Sequence, residues 1–148
     1  MKVLVNRRIV HGPWGGGNNF VVALVEGLTK AGHEVVHSLE ENIDCFFIVD
    51  PRPDDSCPGL AHFLQAKNEG KYQNKKIIQR INECDARKNT EHMDPMLLHC
   101  SKHIDKTIFV SEWMQNYFLN KGWQCKNYTY IHNGVDNKAV SYTHLTLP

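Results

Sequence analysis

Hydrophobic and polar residues alternate along this chain with two periods, of about 2 and about 3.6 residues. The shorter period, or a short continuous apolar run, predicts six strands, at residues 3–5, 34–37, 45–49, 75–82, 107–110 and 128–131. The helical period predicts helices at residues 18–31, about 59–68, 94–104 and 111–122. Strands separated by helices imply crossover connections, so the predicted fold class is α/β: a doubly wound, mostly parallel, Rossmann-like sheet.

Capping residues predict where several helices begin and end. Asn18 is expected to cap the first helix, and Gly32 is expected to follow its C-terminus in the C′ position. A later helix is predicted to begin with Asp94 as N-cap and Pro95 at its first position, and Ser111 is the predicted N-cap of the last helix.

The composition narrows the class of protein. The chain has 148 residues, of which 41% are hydrophobic, and 17 basic against 16 acidic residues give a formal net charge of +1. These values fit one folded domain and give no electrostatic reason to expect nucleic acid as a partner. The longest apolar run, residues 20–25, is too short to cross a membrane, and no secretory signal precedes it. Five cysteines without a CxxC pair are typical of reduced thiols, so we expect a cytoplasmic protein.

Polar residues concentrate where the predicted strands end. Ligands of open parallel sheets bind at the carboxyl ends of the strands, and the loops at that edge contain many polar side chains. They are Arg7, Arg8, Asn18, Asn19, Asp50, Arg52, Asn82, Asp85, Arg87, Glu112, Asn133 and Asp136. Some of these residues are expected only to cap helices.

Three consecutive glycines, Gly15, Gly16 and Gly17, form the sharpest local signal. Their backbone N–H groups lie at the start of a predicted helix, where an anion or a sugar hydroxyl is favoured. The alternative is a flexible turn between strand and helix. A dinucleotide fingerprint fits poorly, because Phe20 stands where a third small residue is needed and Ser38 stands where an acidic residue is needed.

Two other groups of residues have both a functional and an ordinary interpretation. His99 and His103 have a spacing that can bind a metal, but they flank the apolar face of their predicted helix, and solvated histidines are the expected outcome. Among the cysteines, Cys57, Cys84 and Cys100 lack an evident base and are expected to be buried structural residues.

Several segments, taken in order, resemble one known family over about residues 1–138. This part of the chain is similar to the N-terminal domain of group 1, or family 4, glycosyltransferases of the GT-B fold. The segments are Gly15-Gly16-Gly17-Asn18-Asn19-Phe20 with Leu24 and Leu28, Gly32-His33-Glu34-Val35, Arg80-Ile81-Asn82, Thr107-Ile108-Phe109-Val110-Ser111-Glu112-Trp113, and Ile131-His132-Asn133-Gly134-Val135-Asp136.

The resemblance implies retaining transfer of a sugar from a nucleotide-sugar donor to an acceptor, without a metal ion or other cofactor. This domain would hold the acceptor, which is a saccharide, a lipid-linked molecule or another compound, and its glycine-rich loop would face the donor phosphates. The implied cleft residues are Gly15, Gly16, Gly17, Asn18, Arg80, Asn82, Asp85, Arg87, Ser111 and Glu112, and the implied interdomain hinge is Asn133 and Gly134. The family resemblance leaves association with the inner face of the membrane open.

Three departures from the family pattern affect this expectation. Many members have a histidine where this chain has Asn82, and an amide can hydrogen-bond a sugar hydroxyl but cannot carry a proton. The second, nucleotide-sugar-binding domain is not recognised, so the fragment is expected to be inactive by itself. Residues 139–148 resemble translated adapter sequence and are expected not to be native.

Two functions of other classes stay open at this point. The chain could be a stand-alone α/β module that binds carbohydrate or phosphate. It could also be half of a nucleotide-dependent oxidoreductase, which the glycine spacing disfavours.

Overall fold

The computed structural model describes residues 1–12 and 14–134. Six strands and five helices follow one another in this part of the chain. They are β1 (Lys2–Val5), α1 (Gly16–Lys30), β2 (Glu34–Val36), β3 (Cys45–Ile48), α2 (Leu60–Asn68), β4 (Lys76–Ile81), α3 (Asp85–Lys88), α4 (Met93–Ser101), β5 (Lys106–Phe109), α5 (Glu112–Asn120) and β6 (Tyr128–Tyr130).

All six strands pair in parallel, in the order β2-β1-β3-β4-β5-β6. The chain moves from β1 outward to β2 and then returns to the other side of β1 to form β3. A topological switch point therefore lies between β1 and β3, where a crevice opens at the carboxyl ends of the strands. The prediction of an α/β, Rossmann-like, doubly wound sheet is confirmed.

Helices cover both faces of the sheet, and a separate apolar core lies on each. On one face, α1 packs through Val21, Phe20 and Leu24 against β-strand residues that include Val5 and Phe47. The opposite core is larger and joins Phe46 and Ile77 of the sheet to Phe63, Leu97, Met114 and Phe118 of three helices. Burial of these two apolar layers is the main force that holds the helices on the sheet.

Strand β4 is central, and its alternating side chains enter the two cores. Ile77, Gln79 and Ile81 are fully or almost fully buried on the side of the larger core. Arg80 lies on the opposite side, with its guanidinium carbon 3.8 Å from the centre of the Phe20 ring on α1. One residue of β4 therefore brings a cation beneath the first turns of α1.

Two helix starts differ from the prediction. Helix α1 begins at Gly16 with Gly15 as its N-cap. Asn18, which we had expected as the cap, instead accepts a hydrogen bond from the Val10 N–H at 2.8 Å and donates one to the Val10 carbonyl at 2.9 Å. Its side chain finds a better partner across the loop than at the end of its own helix. Two other predicted boundary residues agree: Ser111 Oγ accepts from Met114 N–H, and Gly32 follows α1 at φ +82°. Helix α4 is shorter than its predicted span, which ran to residue 104, and ends at Ser101.

Helix α4 begins at Met93, one residue before the predicted cap, and the short helix α3 replaces part of a predicted loop. Both differences have one cause. The Asp85 carboxylate accepts from the N–H groups of Met93 and Asp94, each at 2.9 Å, while Asp94 Oδ1 accepts from the Asp85 N–H at 2.9 Å. This reciprocal capping joins α3 to α4, and it depends on contacts that local patterning does not include.

No helix among the residues described is long and apolar enough to cross a membrane. The expectation for residues 139–148, and the motif positions Val135 and Asp136, lie outside the described residues.

Candidate functional site

The crevice at the switch point is held in shape by Asn6, the residue that follows β1. Its side chain is fully buried, and its Nδ2 donates to the carbonyl oxygens of Asp50 at 2.6 Å and Pro58 at 3.2 Å. Its Oδ1 accepts from the Val49 N–H at 2.7 Å. One amide therefore fastens the end of β1 to the loop after β3, which fixes one wall of the crevice.

Two adjoining cavities open along the carboxyl edge of the sheet. The apolar cavity, of about 280 Å³, has walls from the loops after β1 and β3, from α1 and α4, and from the end of β4. Its lining residues are Arg7, Arg8, Val10, Gly17, Asn18, Val21, Val49, Asp50, Pro51, Arg80, Ile81, Asn82, Glu83, Met93 and Leu97. The combination of an apolar wall with a few polar groups is typical of small-molecule sites, and the volume is at the small end of their range.

The basic cavity, also of about 280 Å³, lies next to it at the N-terminus of α1. Its lining residues are Gly16, Gly17, Arg80, Asn82, Glu83, Arg87, Lys88 and Asn133. Four residues, Gly17, Arg80, Asn82 and Glu83, line both cavities. We refer to the two cavities together as the cleft.

The glycines at the start of α1 are not required by the fold of the described chain. None of Gly15, Gly16 and Gly17 has a positive φ, and a Cβ added at any of them would meet no atom within 4 Å. Glycine within a helix costs up to about 1 kcal/mol relative to alanine, so Gly16 and Gly17 weaken α1 without a compensating internal contact. They do leave the N–H groups of Gly16 and Gly17, which have no intrahelical partner, open toward the basic cavity.

Arg80 is the most unusual residue of the cleft. Its side chain is only 5% exposed, and its Nη2 donates to Asn133 Oδ1 at 2.8 Å. Its Nη1 is sealed from solvent and has no hydrogen-bond partner among the described residues. Burial lowers the pKa of the Arg80 guanidinium, yet arginine stays protonated in proteins. A buried cation without an acidic partner is costly, so the position is one where a ligand's negative charge would stabilise the protein.

The acidic residues of the cleft are already paired with other cations. Asp50 pairs with Arg52 at 2.7 Å and with Arg7 at 3.4 Å. Burial alone would raise the pKa of Asp50, but hydrogen bonds from Arg52 and the charge of Arg7 outweigh it and hold that pKa below its ordinary value. Glu83 pairs with Lys88 at 2.9 Å.

By contrast, Arg8, Arg80 and Arg87 form no ion pair within residues 1–12 and 14–134. The cleft therefore carries positive charge that its own carboxylates do not neutralise.

The structure brings together most of the cleft residues predicted from the sequence. Gly16, Gly17, Asn18, Arg80, Asn82, Arg87 and Asn133 line the two cavities. Asn133, expected at a hinge, is in direct contact with Arg80. Asn82 is partly buried, and its carbonyl accepts from Arg87 Nη1 at 3.5 Å.

Five predicted positions lie outside the lining of both cavities: Gly15, Asp85, Ser111, Glu112 and Gly134. Asp85 uses its carboxylate to cap α4, and burial, which alone would raise its pKa, is outweighed by those hydrogen bonds and one from the Thr90 hydroxyl, so the pKa is lowered. Ser111 uses its hydroxyl to cap α5. These two side chains are therefore structural in the protein as described.

The apolar residues that form one wall of the cleft are not among the site residues predicted from the sequence. Met93 and Leu97 come from α4, far along the chain from Val10 and Val21. Periodicity marks all four as apolar but does not tell which apolar residues meet at a cavity. Arg7 and Arg8 also line the apolar cavity, and their position just after a strand is the sequence signal that points to this edge of the sheet.

The alternative metal and nucleophile candidates line neither cavity of the cleft. The rings of His99 and His103 are 6.2 Å apart, and burial, with the charge of Lys102, lowers the pKa of His103. No group of three or more metal-binding side chains occurs in the part of the chain that the structure describes. Cys57, Cys84 and Cys100 are buried free thiols.

Comparison with protein-family models, with curated proteins and with solved structures gave no match to this chain. The residues and geometry of the cleft are therefore the basis for assigning a function to this protein.

Proposed function

We propose that this chain is the acceptor-side domain of a retaining glycosyltransferase of the GT-B type, which moves a sugar from a nucleotide-sugar donor to an acceptor. The observation that carries the proposal is the meeting of three groups at one cleft: the unpaired N–H groups of α1, the guanidinium of Arg80, which has no acidic partner among the described residues, and the amide of Asn82. The first two suit phosphate, and the third suits a sugar hydroxyl.

In the proposed reaction, the bond between the sugar's anomeric carbon and the donor diphosphate breaks. A bond from the anomeric carbon to an acceptor oxygen forms, the diphosphate leaves with the bonding electrons, and the proton of the acceptor hydroxyl passes to a phosphate oxygen of that leaving diphosphate. Negative charge grows on the leaving diphosphate, so fixed N–H dipoles and cations directed at it stabilise the transition state. The basic cavity supplies such groups through Gly16, Gly17, Arg87 and Lys88.

The apolar cavity is the proposed acceptor site. It opens beside the basic cavity and shares Asn82 and Arg80 with it, so an acceptor held there would meet the donor sugar at these two residues. Asn82 is a positioning residue in this proposal, since its amide orients a hydroxyl but does not accept a proton from it. The nucleoside of the donor would be held by a second domain, as in the family that the sequence resembles.

The first experiment follows the coding DNA past the codon for Ala139. If a second βα-repeating domain is encoded there, the whole polypeptide is assayed for transfer from UDP- and GDP-sugars to a panel of acceptors. Gly16→Val, which places a side chain over the basic cavity, should abolish transfer, whereas Gly27→Val on the same helix should not. The absence of any such domain, or no transfer and no donor hydrolysis by the longer polypeptide, would overturn the proposal.

A second candidate function is a module that binds carbohydrate or phosphate without a reaction. The unpaired Arg80 favours it, because the positive charge is present in this chain without any further domain. The longer polypeptide separates the two: binding of sugar phosphates by the 148-residue chain, without transfer from any nucleotide sugar by the longer polypeptide, would favour the module. Binding of NAD(P) would instead favour the oxidoreductase interpretation.

A further inference from the structure

The apolar cavity contains a cation that the protein does not neutralise. Arg80 is 5% exposed, its Nη1 lacks a partner among the residues described, and its only hydrogen bond there is to the neutral side chain of Asn133. Arg8 lines the same cavity, is exposed and forms no ion pair in the described chain. The two acidic residues of the lining, Asp50 and Glu83, are already paired with Arg52 and Lys88.

We propose that the apolar cavity binds a saccharide that carries an oxyanion, a phosphate monoester or a carboxylate, with Arg80 as the principal anion-binding residue and Arg8 at the entrance. If the proposed function holds, this anionic saccharide is the acceptor. The binding itself does not depend on that function, because every residue named belongs to the described chain.

The surroundings of Arg80 suit an anion better than a neutral ligand. Phe20 packs against the guanidinium at 3.8 Å, which orients its plane and leaves its edge to donate. Apolar side chains, among them Val21, Val49 and Leu97, line the rest of the cavity. In such a low-dielectric setting, a hydrogen bond between charged groups is stronger than in water.

The same apolar wall suits the C–H surface of a sugar ring. A saccharide with one oxyanion therefore satisfies both parts of the cavity, whereas a free inorganic anion satisfies only Arg80. A neutral sugar would leave the buried guanidinium without a negatively charged partner, so the free-energy cost of its desolvation would not be offset.

The test is a calorimetric titration of the 148-residue chain with glucose 6-phosphate, glucuronate, glucose and inorganic phosphate. We expect glucose 6-phosphate or glucuronate to bind at least about tenfold more tightly than glucose, since a charged hydrogen bond is gained. Arg80→Met should remove that advantage. Lys126→Met loses the same charge just before β6, at the opposite edge of the sheet, and should bind like the unaltered chain.

Folding of the variants is checked by thermal unfolding. Arg80→Met removes a buried cation that has no acidic partner and keeps an apolar side chain about as long as the arginine stem, so its midpoint should equal or exceed that of the unaltered chain. Arg80→Lys keeps the charge but loses the planar donor pair, and intermediate affinity is expected. In the unaltered chain, the amide resonances of Gly17 and Val21, which line the apolar cavity, should shift on titration with the anionic ligand, a readout that needs no variant.

Equal affinity for glucose and for both anionic sugars, or equal affinity of Arg80→Met and Lys126→Met, would overturn the proposal. So would inorganic phosphate binding as tightly as either sugar, because the saccharide would then contribute nothing. Anion binding without sugar transfer by the longer polypeptide would reject the transferase proposal alone. Transfer to neutral acceptors without anion binding would reject only the site proposed here.

Discussion

At the scale of single residues, β4 buries two unsatisfied polar groups in succession. Gln79 and Arg80 point to opposite faces of the sheet, and each has side-chain atoms without a partner among the residues described. Arg80 lines the cleft, so the free-energy cost of burying its charge is explained if an anionic ligand pairs with it. Gln79 lies in the larger core, fully buried beside Ile48 and Thr107 of the neighbouring strands, and lines neither cavity of the cleft.

Replacing Gln79 by methionine should therefore stabilise the protein. Gln79→Met keeps the length of the side chain and removes two buried polar atoms without partners, so the free energy of unfolding should rise by about 1 kcal/mol. Urea denaturation measures the change, and Gln124→Met at an exposed position should leave stability within about 0.5 kcal/mol. A loss of stability in Gln79→Met would show instead that the amide is satisfied by internal water.

A second residue, Asp105, gives stability a defined dependence on pH. Its carboxylate accepts from the Ile77 N–H and from Lys76 Nζ, each at 2.9 Å, at the start of β4. Burial alone would raise the pKa of Asp105, but these two donors outweigh burial and lower it. The stabilisation is therefore complete above the unfolded carboxyl's pKa of about 3.9 and is lost as the pH falls through the lower pKa of the folded state.

Asp105→Asn should cost about 1 kcal/mol in free energy of unfolding near neutral pH, and the cost should shrink at a pH well below 3.9. Urea unfolding at both pH values is the measurement. Asp55→Asn is the matched control, because Asp55 is exposed and makes no hydrogen bond or ion pair among the described residues. A cost that is the same at both pH values would show that the charge of Asp105 is not what stabilises the strand.

At the scale of elements, α1 combines poor helix propensity at its N-terminal end with a position at the edge of the cleft. Its first turn contains Gly16 and Gly17 and no acidic residue, and a Cβ at either glycine would meet open space. Gly27 lies in the same helix, also with open space around it, but away from the cleft. Gly17 and Gly27 therefore differ in whether they line the cleft, but each lowers the helix propensity of α1.

Gly17→Ala and Gly27→Ala should each raise the free energy of unfolding, by up to about 1 kcal/mol, because alanine loses less entropy in a helix. Only Gly17→Ala should weaken the binding of an anionic ligand, since its methyl group enters the cleft. Thermal unfolding and calorimetric titration of both variants provide the comparison. Unchanged ligand binding by Gly17→Ala would indicate that no ligand approaches the first turn of α1.

At the scale of the whole molecule, most of the cysteines lie inside the fold, and Cys84, Cys100 and Cys125 belong to the larger apolar core. Four of the five thiols are buried, and Cys45 is partly buried. Burial raises the pKa of Cys84 and Cys100, and burial together with the charges of Asp105 and Asp44 raises that of Cys45. A protonated, buried thiol is a poor nucleophile.

The thiols of the folded protein should therefore react slowly with Ellman's reagent at about pH 8. All five should react once denaturant unfolds the sheet and exposes them. The rate in increasing denaturant should follow the unfolding transition measured by circular dichroism. Rapid reaction of several thiols in the folded state would mean that one of the cores opens locally at low cost.

The sequence is sufficient to predict the alternation of strands and helices, the parallel sheet and the gathering of polar side chains at its carboxyl edge. These features depend on periodicity and on the handed connection of neighbouring elements, which are local properties of the chain. Ser111 as a cap and Gly32 after α1 belong to the same class, since their partners lie within a few residues.

Which polar side chains remain without a partner in the protein, and are thus free to bind a ligand, depends on the tertiary structure. Asp85 and Arg80 look equally suited in the sequence, yet Asp85 is saturated by backbone N–H groups of α4, whereas Arg80 keeps a buried donor unpaired. Asn18 likewise turns from its own helix to Val10. Hydrogen-bond partners of this kind come from segments distant along the chain, and the pairing of a polar group is settled only when the fold brings those segments together.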